Sequence, residues 1–177
     1  MKMQEWIDFR KVFPVITAVV LFSVFTMPTI SEAKDRGSLP AAPYLTLKFA
    51  KQAAMSALWK CRSDGYAVSV AVVDRHGVLL THVRDPLAGP HTVNSAQGKA
   101  FTSASMGQPT SRVTALIAEN RGLDGLRDMD SRMVILAGGL PIVIDGMRVG
   151  GIGVGGAPGG QLDEACAAHG LQNIGAE

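Results

Sequence analysis

The chain has 177 residues, of which 47% are hydrophobic and 18% are charged, and its formal net charge is +2. This length suggests one domain, or two small ones at most. The sequence has no basic run interleaved with aromatic residues, which argues against a nucleic-acid-binding protein. It also has no H-E-x-x-H, C-x-x-C, G-x-S-x-G or Walker motif, so the catalytic residues of any enzyme activity are left unassigned.

Residues 1–33 have the pattern of a secretory signal peptide. Basic residues near the N-terminus precede an uncharged apolar stretch at 12–27, and small residues flank Glu32. These are the three parts of such a signal, and the apolar stretch is short for a membrane span, which needs about 20 residues. We expect cleavage after Ala33 and a periplasmic or secreted protein that leaves the membrane after cleavage. An uncleaved N-terminal anchor is the alternative.

The first half of the mature chain predicts a helix followed by a hairpin. Residues 34–43 are interpreted as an extended leader to a single domain at 44–177. That domain begins with a helix at 45–65, whose apolar residues recur every three or four positions. Strands at 66–74 and 78–85 follow, and the tight turn between them predicts a β-hairpin.

The second half predicts two helices, a polar connection, three strands and a last helix. The helix at 91–106 has an inner face of small residues, which permits close approach of another element or a flat ligand. The order is therefore α-β-β-α-α-β-β-β-α, and tight turns between strands imply an antiparallel sheet with helices packed on it. The later elements are predicted at 109–120, 133–138, 140–144, 148–154 and 159–170.

Three residues are predicted to cap these helices. Thr46 and Thr92 carry the hydroxyl groups that favour an N-cap, at the start of the first and second helices. Gly170 is predicted to end the last helix, because glycine is favoured at a helix C-terminus.

The spacing of Gly151, Gly153 and Gly156 matches G-x-G-x-x-G, which raises the question of a dinucleotide site. That fingerprint stands between the first strand and first helix of a βαβ unit, with an acidic residue about 20 positions later. Here the first two glycines lie inside a predicted strand near the end of the chain, so we reject this interpretation. Glycine inside a strand indicates close approach of a backbone or a ligand. The turn that follows could also bind an anion through backbone N–H groups at the start of the last helix.

The two cysteines, Cys61 and Cys166, allow one intramolecular pairing. Export would place them in an oxidising compartment, where disulfides persist. A disulfide between them would close a loop of about 105 residues and constrain the unfolded chain. Two buried free thiols are the alternative.

Three segments together resemble the GlcG/HbpS-like heme-binding proteins, a group that includes the C-terminal domain of PduO-type proteins. They are VSVAVVDRHGVLLTHVRD, AQGKAFTSASM and GGLPIVIDGMRVGGIGVGGAPGGQLDEACAAHGL, and the resemblance covers residues 45–174. It implies an α+β fold with about five antiparallel strands flanked by helices. It also implies homo-oligomers, often octamers, and heme as a cofactor of some members. Heme degradation or iron binding has been proposed for some of them.

The chain departs from this group after the second strand. Many members have R-x-D-G-A there, whereas this chain has RDPLA at 84–88 and then GPHT at 89–92. The ligand of better-studied members therefore does not transfer directly to this chain.

His91 is the candidate ligand of heme iron, because neutral imidazole is a common axial ligand. A surface histidine, or one that caps the helix, is the alternative. Lys99 could pair with a heme propionate or a small carboxylate, or it could be a solvated helix lysine. Arg84 and Asp85 could fix the nearby loop by an ion pair or line the same pocket. The predicted ligand-binding set is completed by Thr92, Gly155 and Gly156.

Three functional hypotheses follow. The first is an exported, oligomeric heme-binding protein that acts in heme or iron handling or sensing. The second is an enzyme or sensor that binds a small organic acid through His91, Lys99, Arg84 and the glycine-rich turn. The third is a structural subunit without a small-molecule ligand.

Overall fold

The computed structural model describes residues 42–177. The expected signal peptide at 1–33, its cleavage site and most of the leader at 34–43 lie outside the described residues. Between residues 42 and 177, no helix is long and apolar enough to cross a membrane.

The described part of the chain contains four α-helices, one 3₁₀-helix and four strands, in the order expected from the sequence except for one strand. In chain order they are α1 (Leu47–Ser63), β1 (Ser69–Asp74), β2 (Leu79–Arg84), α2 (His91–Met106), α3 (Thr110–Glu119), a 3₁₀-helix (Arg121–Arg127), β3 (Gly139–Ile144), β4 (Met147–Gly155) and α4 (Gly160–Gln172).

The four strands form one antiparallel sheet in the order β2-β1-β4-β3. Val70 in β1 lies opposite Val83 of β2 on one side and Val154 of β4 on the other. The predicted α+β class and antiparallel sheet are confirmed. Within residues 42–177 the sheet has four strands, where about five were expected.

The strand expected at 133–138 is the one that does not form. Met133 and Ile135 instead bury their side chains in a small cluster with Phe101. The backbone N–H of Val134 donates to the hydroxyl of Thr102 in α2 at 2.9 Å, rather than to a neighbouring strand. The segment has the apolar composition of a strand. However, it buries its side chains against α2 and does not pair with a neighbouring strand.

α1 and α4 cover one face of the sheet and form the larger apolar core. This core combines valine and isoleucine from the strands with alanines of α1, among them Ala50, Ala53 and Ala54. Cys61 of α1 and Cys166 of α4 form a disulfide, with their Cα atoms 5.5 Å apart. The two helices are therefore joined covalently as well as by packing.

α2 covers the opposite face and lies unusually close to β4. A Cβ atom at Gly153 would overlap the backbone of Ala96 and Ala100, and one at Gly151 would overlap the carbonyl oxygen of Ala100. Only glycine leaves room for this contact, so the predicted close approach of a backbone is confirmed. Gly151 and Gly153 of β4 therefore allow α2 to pack closely on the sheet.

One of the three predicted caps is confirmed. The hydroxyl of Thr46 accepts a hydrogen bond from the backbone N–H of Phe49 at 3.4 Å, as an N-cap does. The prediction for Thr92 is wrong, because Pro90 occupies the N-cap position of α2 and the Thr92 hydroxyl donates to the carbonyl of Gly89 at 2.6 Å.

The prediction for Gly170 is also wrong, because α4 continues through Gln172. A Cβ atom at Gly170 would lie 2.6 Å from the carbonyl oxygen of Ala53. This glycine therefore allows α4 to pack closely against α1, and does not end the helix.

Candidate functional site

A pocket of about 420 Å³ lies where α2 and α4 begin. α2 contributes His91, Thr92, Ser95 and Lys99 to its wall, and the glycine-rich turn 156–160 forms another part of it. Two helix N-termini thus meet the same cavity, which is within the size range of small-molecule sites. His91, Thr92, Lys99 and Gly156, all predicted from the sequence as site residues, line it together.

His91 is the first residue of α2, and its side chain is exposed at the pocket. Its imidazole lies against Gly89, where a Cβ atom would come within 2.6 Å of the ring. The glycine of the GPHT segment therefore makes room for the imidazole. A histidine in this position is accessible to a ligand without rearrangement of the helix.

Lys99 is buried, with only 3% of its surface exposed. Its ammonium group donates to the Asp163 carboxylate at 2.8 Å and to the backbone carbonyl of Val154 at 2.9 Å. The alternative of a solvated helix lysine is therefore wrong. Two of its three N–H donors are taken up within the protein.

Asp163 is the partner of Lys99 and is equally buried, at 2% exposure. Its second carboxylate oxygen accepts a hydrogen bond from the backbone N–H of Ala157 at 3.0 Å. Burial raises the pKa of the Asp163 carboxyl, while Lys99 and the backbone N–H groups of Ala157 and Gly156 oppose that rise. The ion pair joins α2, β4, α4 and the glycine-rich turn at one point.

The sequence alone did not identify this ion pair. At that level Asp163 has an ordinary role as a negative charge in the first turn of a helix. The available signal was the position of Lys99, which lies three residues after Ala96 and next to Ala100, both fully buried. A lysine on the buried face of a helix requires a partner, but nothing local says where that partner lies.

The two glycines predicted as site residues, Gly155 and Gly156, have different roles. Gly156 adopts a φ of +136°, which a residue with a side chain rarely adopts, and it lines the pocket. Gly155 is buried beside α2, where a Cβ atom would lie 2.8 Å from the Ser95 hydroxyl. Gly155 therefore sets helix packing next to the pocket without lining it.

Arg84 and Asp85 do not line this pocket and do not pair with each other. Asp85 pairs with Arg62 of α1 at 2.7 Å, and it accepts a hydrogen bond from the backbone N–H of Leu87 at 2.9 Å. The Leu87 N–H and the Arg62 guanidinium lower the pKa of the Asp85 carboxyl. Arg84 donates to the carbonyl of Ala88.

The remaining histidines lie away from the pocket. His82 is partly buried in β2, where burial lowers its pKa, and its Nε2 atom has no hydrogen-bond partner among residues 42–177. His76 and His169 are exposed. In the same part of the chain, no group of three or more His, Cys, Asp or Glu side chains is placed to hold a metal ion.

Residues 45–172 match the family model described as haem degrading protein HbpS-like. The chain belongs to this family. The match spans the whole sheet and all of α4, so it includes both the helices and the glycine-rich turn that form the pocket. The resemblance found in the sequence is confirmed.

Similar proteins agree with this assignment. A double mutant of HbpS from Streptomyces reticuli is 41% identical, and the alignment covers 82% of this chain and 97% of that one, with a TM-score of 0.71. The PduOC:heme complex is 25% identical, over 76% of this chain and 98% of that one, with a TM-score of 0.70. An uncharacterised 15.0 kDa protein of Citrobacter freundii is 31% identical over 113 residues, which are 63% of this chain and 80% of that protein.

Proposed function

We propose that the protein binds heme in the pocket at the start of α2 and α4, with His91 as the iron ligand. The observation that carries this proposal is an accessible imidazole beside a cavity walled by glycine and other small residues. Membership of the HbpS-like family supports it, as does the structural similarity to the PduOC:heme complex. Neutral imidazole is a common protein ligand of heme iron.

The residues of the pocket fit a flat, largely apolar group. Between Gly156 and Gly160 the turn carries only Ala157 and Pro158 as side chains, so a planar molecule can approach the backbone. Leu136 lines the same pocket and is 56% exposed, which is high for a large apolar side chain. Bound heme would supply a redox-active iron, whereas these residues would supply the surface on which its ring packs.

We propose a different role for Lys99 from the one predicted. Its ammonium group already contacts Asp163 and the carbonyl of Val154. We therefore propose that Lys99 holds the wall of the pocket in place, and that it does not pair with a heme propionate. The same engagement makes Lys99 a poor carboxylate receptor, which places the organic-acid hypothesis second.

We further propose that the protein is exported to the periplasm or secreted, that it forms homo-oligomers, and that it acts in heme or iron handling or sensing. The signal-peptide pattern at 1–33 supports export. The Cys61–Cys166 disulfide also supports it, since disulfides persist in oxidising compartments. Homo-oligomers are what the family resemblance implies.

A hemin titration followed by absorbance tests the proposal. The purified protein without residues 1–33 is compared with His91→Ala and with His169→Ala, which removes an exposed histidine elsewhere. We expect a saturable Soret shift in the parent protein and in His169→Ala, and a weakened, altered shift in His91→Ala.

An unchanged Soret shift in His91→Ala would remove this residue as the iron ligand, and the absence of any saturable shift would reject heme. Thermal-shift measurements with small carboxylic acids then test the second hypothesis. Stabilisation by such acids, but not by hemin, would favour it. A melting curve that none of these compounds moves would favour a structural subunit.

A further inference from the structure

A second pocket, of about 340 Å³, lies at the other end of α2, and four of its nine lining residues are arginine or histidine. Ser105 of α2 is among its lining residues, and it lies fourteen positions after His91 in the same helix. At 1.5 Å per residue the two ends are about 20 Å apart. This pocket is therefore separate from the proposed heme site.

The sheet brings the basic residues together from distant parts of the sequence. Arg75 and His76 lie in the turn between β1 and β2, while Arg148 lies at the start of β4. Because Asp74 pairs with Gly150 across the sheet, the β1–β2 turn lies beside the start of β4. Arg132, from the segment before β3, completes the group.

Arg132 is held in position before any ligand arrives. Its Nε and Nη2 atoms donate to the two carboxylate oxygens of Asp130 at 2.9 and 2.6 Å. Its guanidinium also stacks over the ring of Phe101 at 4.1 Å from the ring centre. A guanidinium has five N–H donors, so Asp130 leaves three of them for another acceptor.

The pocket carries a net positive charge. Three guanidinium groups and one carboxylate, that of Asp130, are among its lining residues, which leaves two positive charges when His76 is neutral. Between residues 42 and 177, neither Arg75 nor Arg148 has a carboxylate within ion-pair distance. Arg148 lies against Gly107, whose φ of +68° and missing side chain leave space for the guanidinium.

We propose that this basic pocket, formed by Arg75, His76, Arg132 and Arg148, binds the phosphate group of a small soluble molecule. Guanidinium groups present parallel N–H donors that match the oxygen atoms of a phosphate, and they remain charged at physiological pH. A phosphate dianion balances the two positive charges of the pocket. This site does not depend on the heme proposal.

Calorimetric titration with inorganic phosphate and pyrophosphate, at low ionic strength, tests the proposal. The parent protein is compared with Arg75→Gln, Arg148→Gln and Arg127→Gln, the last of which removes one exposed positive charge outside the pocket. We expect saturable binding in the parent protein, roughly tenfold weaker binding in Arg75→Gln and Arg148→Gln, and a change below about twofold in Arg127→Gln. Arg148→Lys keeps the positive charge but loses the paired N–H donors of the guanidinium, so its affinity for phosphate should lie between those of Arg148→Gln and the parent protein.

Two results would overturn the proposal. They are the absence of saturable binding to either phosphate compound, and equal losses of affinity in Arg127→Gln and Arg148→Gln. Unfolding midpoints of the variants check that each is folded. The hemin titration repeated on Arg148→Gln should be unchanged, so failure at this pocket is distinguishable from failure at the heme site.

Discussion

The two faces of the sheet are covered in different ways. The face under α1 and α4 is apolar, and a disulfide joins the two helices that cover it, whereas the face under α2 is close-packed, glycine-rich and polar. The first face buries valine, isoleucine and alanine around the Cys61–Cys166 disulfide. Between the sheet and α2 the buried apolar cluster is small, with two side chains from β1 and three alanines of α2. This face compensates with backbone contacts at the glycines of β4 and with the Lys99–Asp163 ion pair.

This difference indicates how stability and function are divided in the molecule. The apolar face gains from burial and from a covalent link, neither of which needs a particular polar partner. The α2 face depends on close shape matching and on buried charges that must remain paired. Both pockets proposed as binding sites border α2, so the binding residues stand on the face where packing leaves polar groups available.

The largest effect is expected from removal of the disulfide on the apolar face. The two cysteines are 105 residues apart in sequence, and Cys61→Ala with Cys166→Ala should lower the free energy of unfolding by about 4 kcal/mol through release of the unfolded chain. Urea unfolding with and without a reducing agent measures this loss. The reducing agent should leave the double variant unchanged, and a double variant as stable as the parent protein would contradict the prediction.

The next effect concerns the ion pair on the α2 face. Lys99→Met leaves the buried Asp163 carboxylate without its cation, and should cost about 3 kcal/mol of unfolding free energy. Adding Asp163→Leu should recover much of that loss, since an apolar pair of similar volume is often as stable as a buried ion pair. A double variant less stable than Lys99→Met would show that the two residues do not act as a pair.

The loss in Lys99→Met should depend on pH. Burial already raises the pKa of Asp163, and removal of the lysine raises it further. A carboxyl group whose folded pKa exceeds its unfolded pKa favours the folded state at low pH, and this contribution is lost as pH rises through the folded pKa. The variant should therefore lie closest to the parent protein in acid and furthest from it at neutral pH. Unfolding curves of the variant and the parent protein, measured across this pH range, test the prediction. A difference in unfolding free energy that does not change with pH would contradict it.

A smaller loss is expected from Gly153→Ala, which adds one methyl group between β4 and α2. The new Cβ atom would overlap the backbone of Ala96 and Ala100, so the helix must move away from the sheet. We expect a loss of about 2 kcal/mol by chemical denaturation. Gly125→Ala is the control, because a Cβ atom there meets nothing within 4 Å. Equal effects at the two positions would argue against close helix packing.

The smallest effect is expected beside the basic pocket. The Arg132 side chain and its backbone N–H lower the pKa of Asp130 to about 2. Arg132→Gln should return that pKa towards its ordinary value, which an NMR titration of the carboxyl group measures directly. A carboxyl group whose pKa is lower in the folded state than in the unfolded state stabilises the fold at pH values above its unfolded pKa. This stabilisation is lost as the pH falls towards 2. Because the Arg132 side chain is largely exposed, the free energy of unfolding should change little.

Local patterns were enough to predict most elements. The helix at 91–106 has the predicted bounds, since Pro90 precedes it and Gly107 follows with a positive φ. The β3–β4 hairpin follows from Asp145 and Gly146, both of which adopt positive φ as a tight hairpin turn requires. The segment 133–138 was misinterpreted because its apolar composition suits a strand, while its burial against α2 is a tertiary contact.

The sequence therefore determined the α+β class, the family, the bounds of α2 and the position of the β3–β4 hairpin, because these depend on neighbouring residues or on chain-wide pattern. It allowed one disulfide pairing, but it left open whether the two cysteines are bonded. Only the tertiary structure decided which charges meet. Lys99 and Asp163 are 64 residues apart, and Arg75, Arg132 and Arg148 converge through strand register and loop packing. Contacts between distant residues depend on how the helices pack on the sheet, and no local pattern records that arrangement.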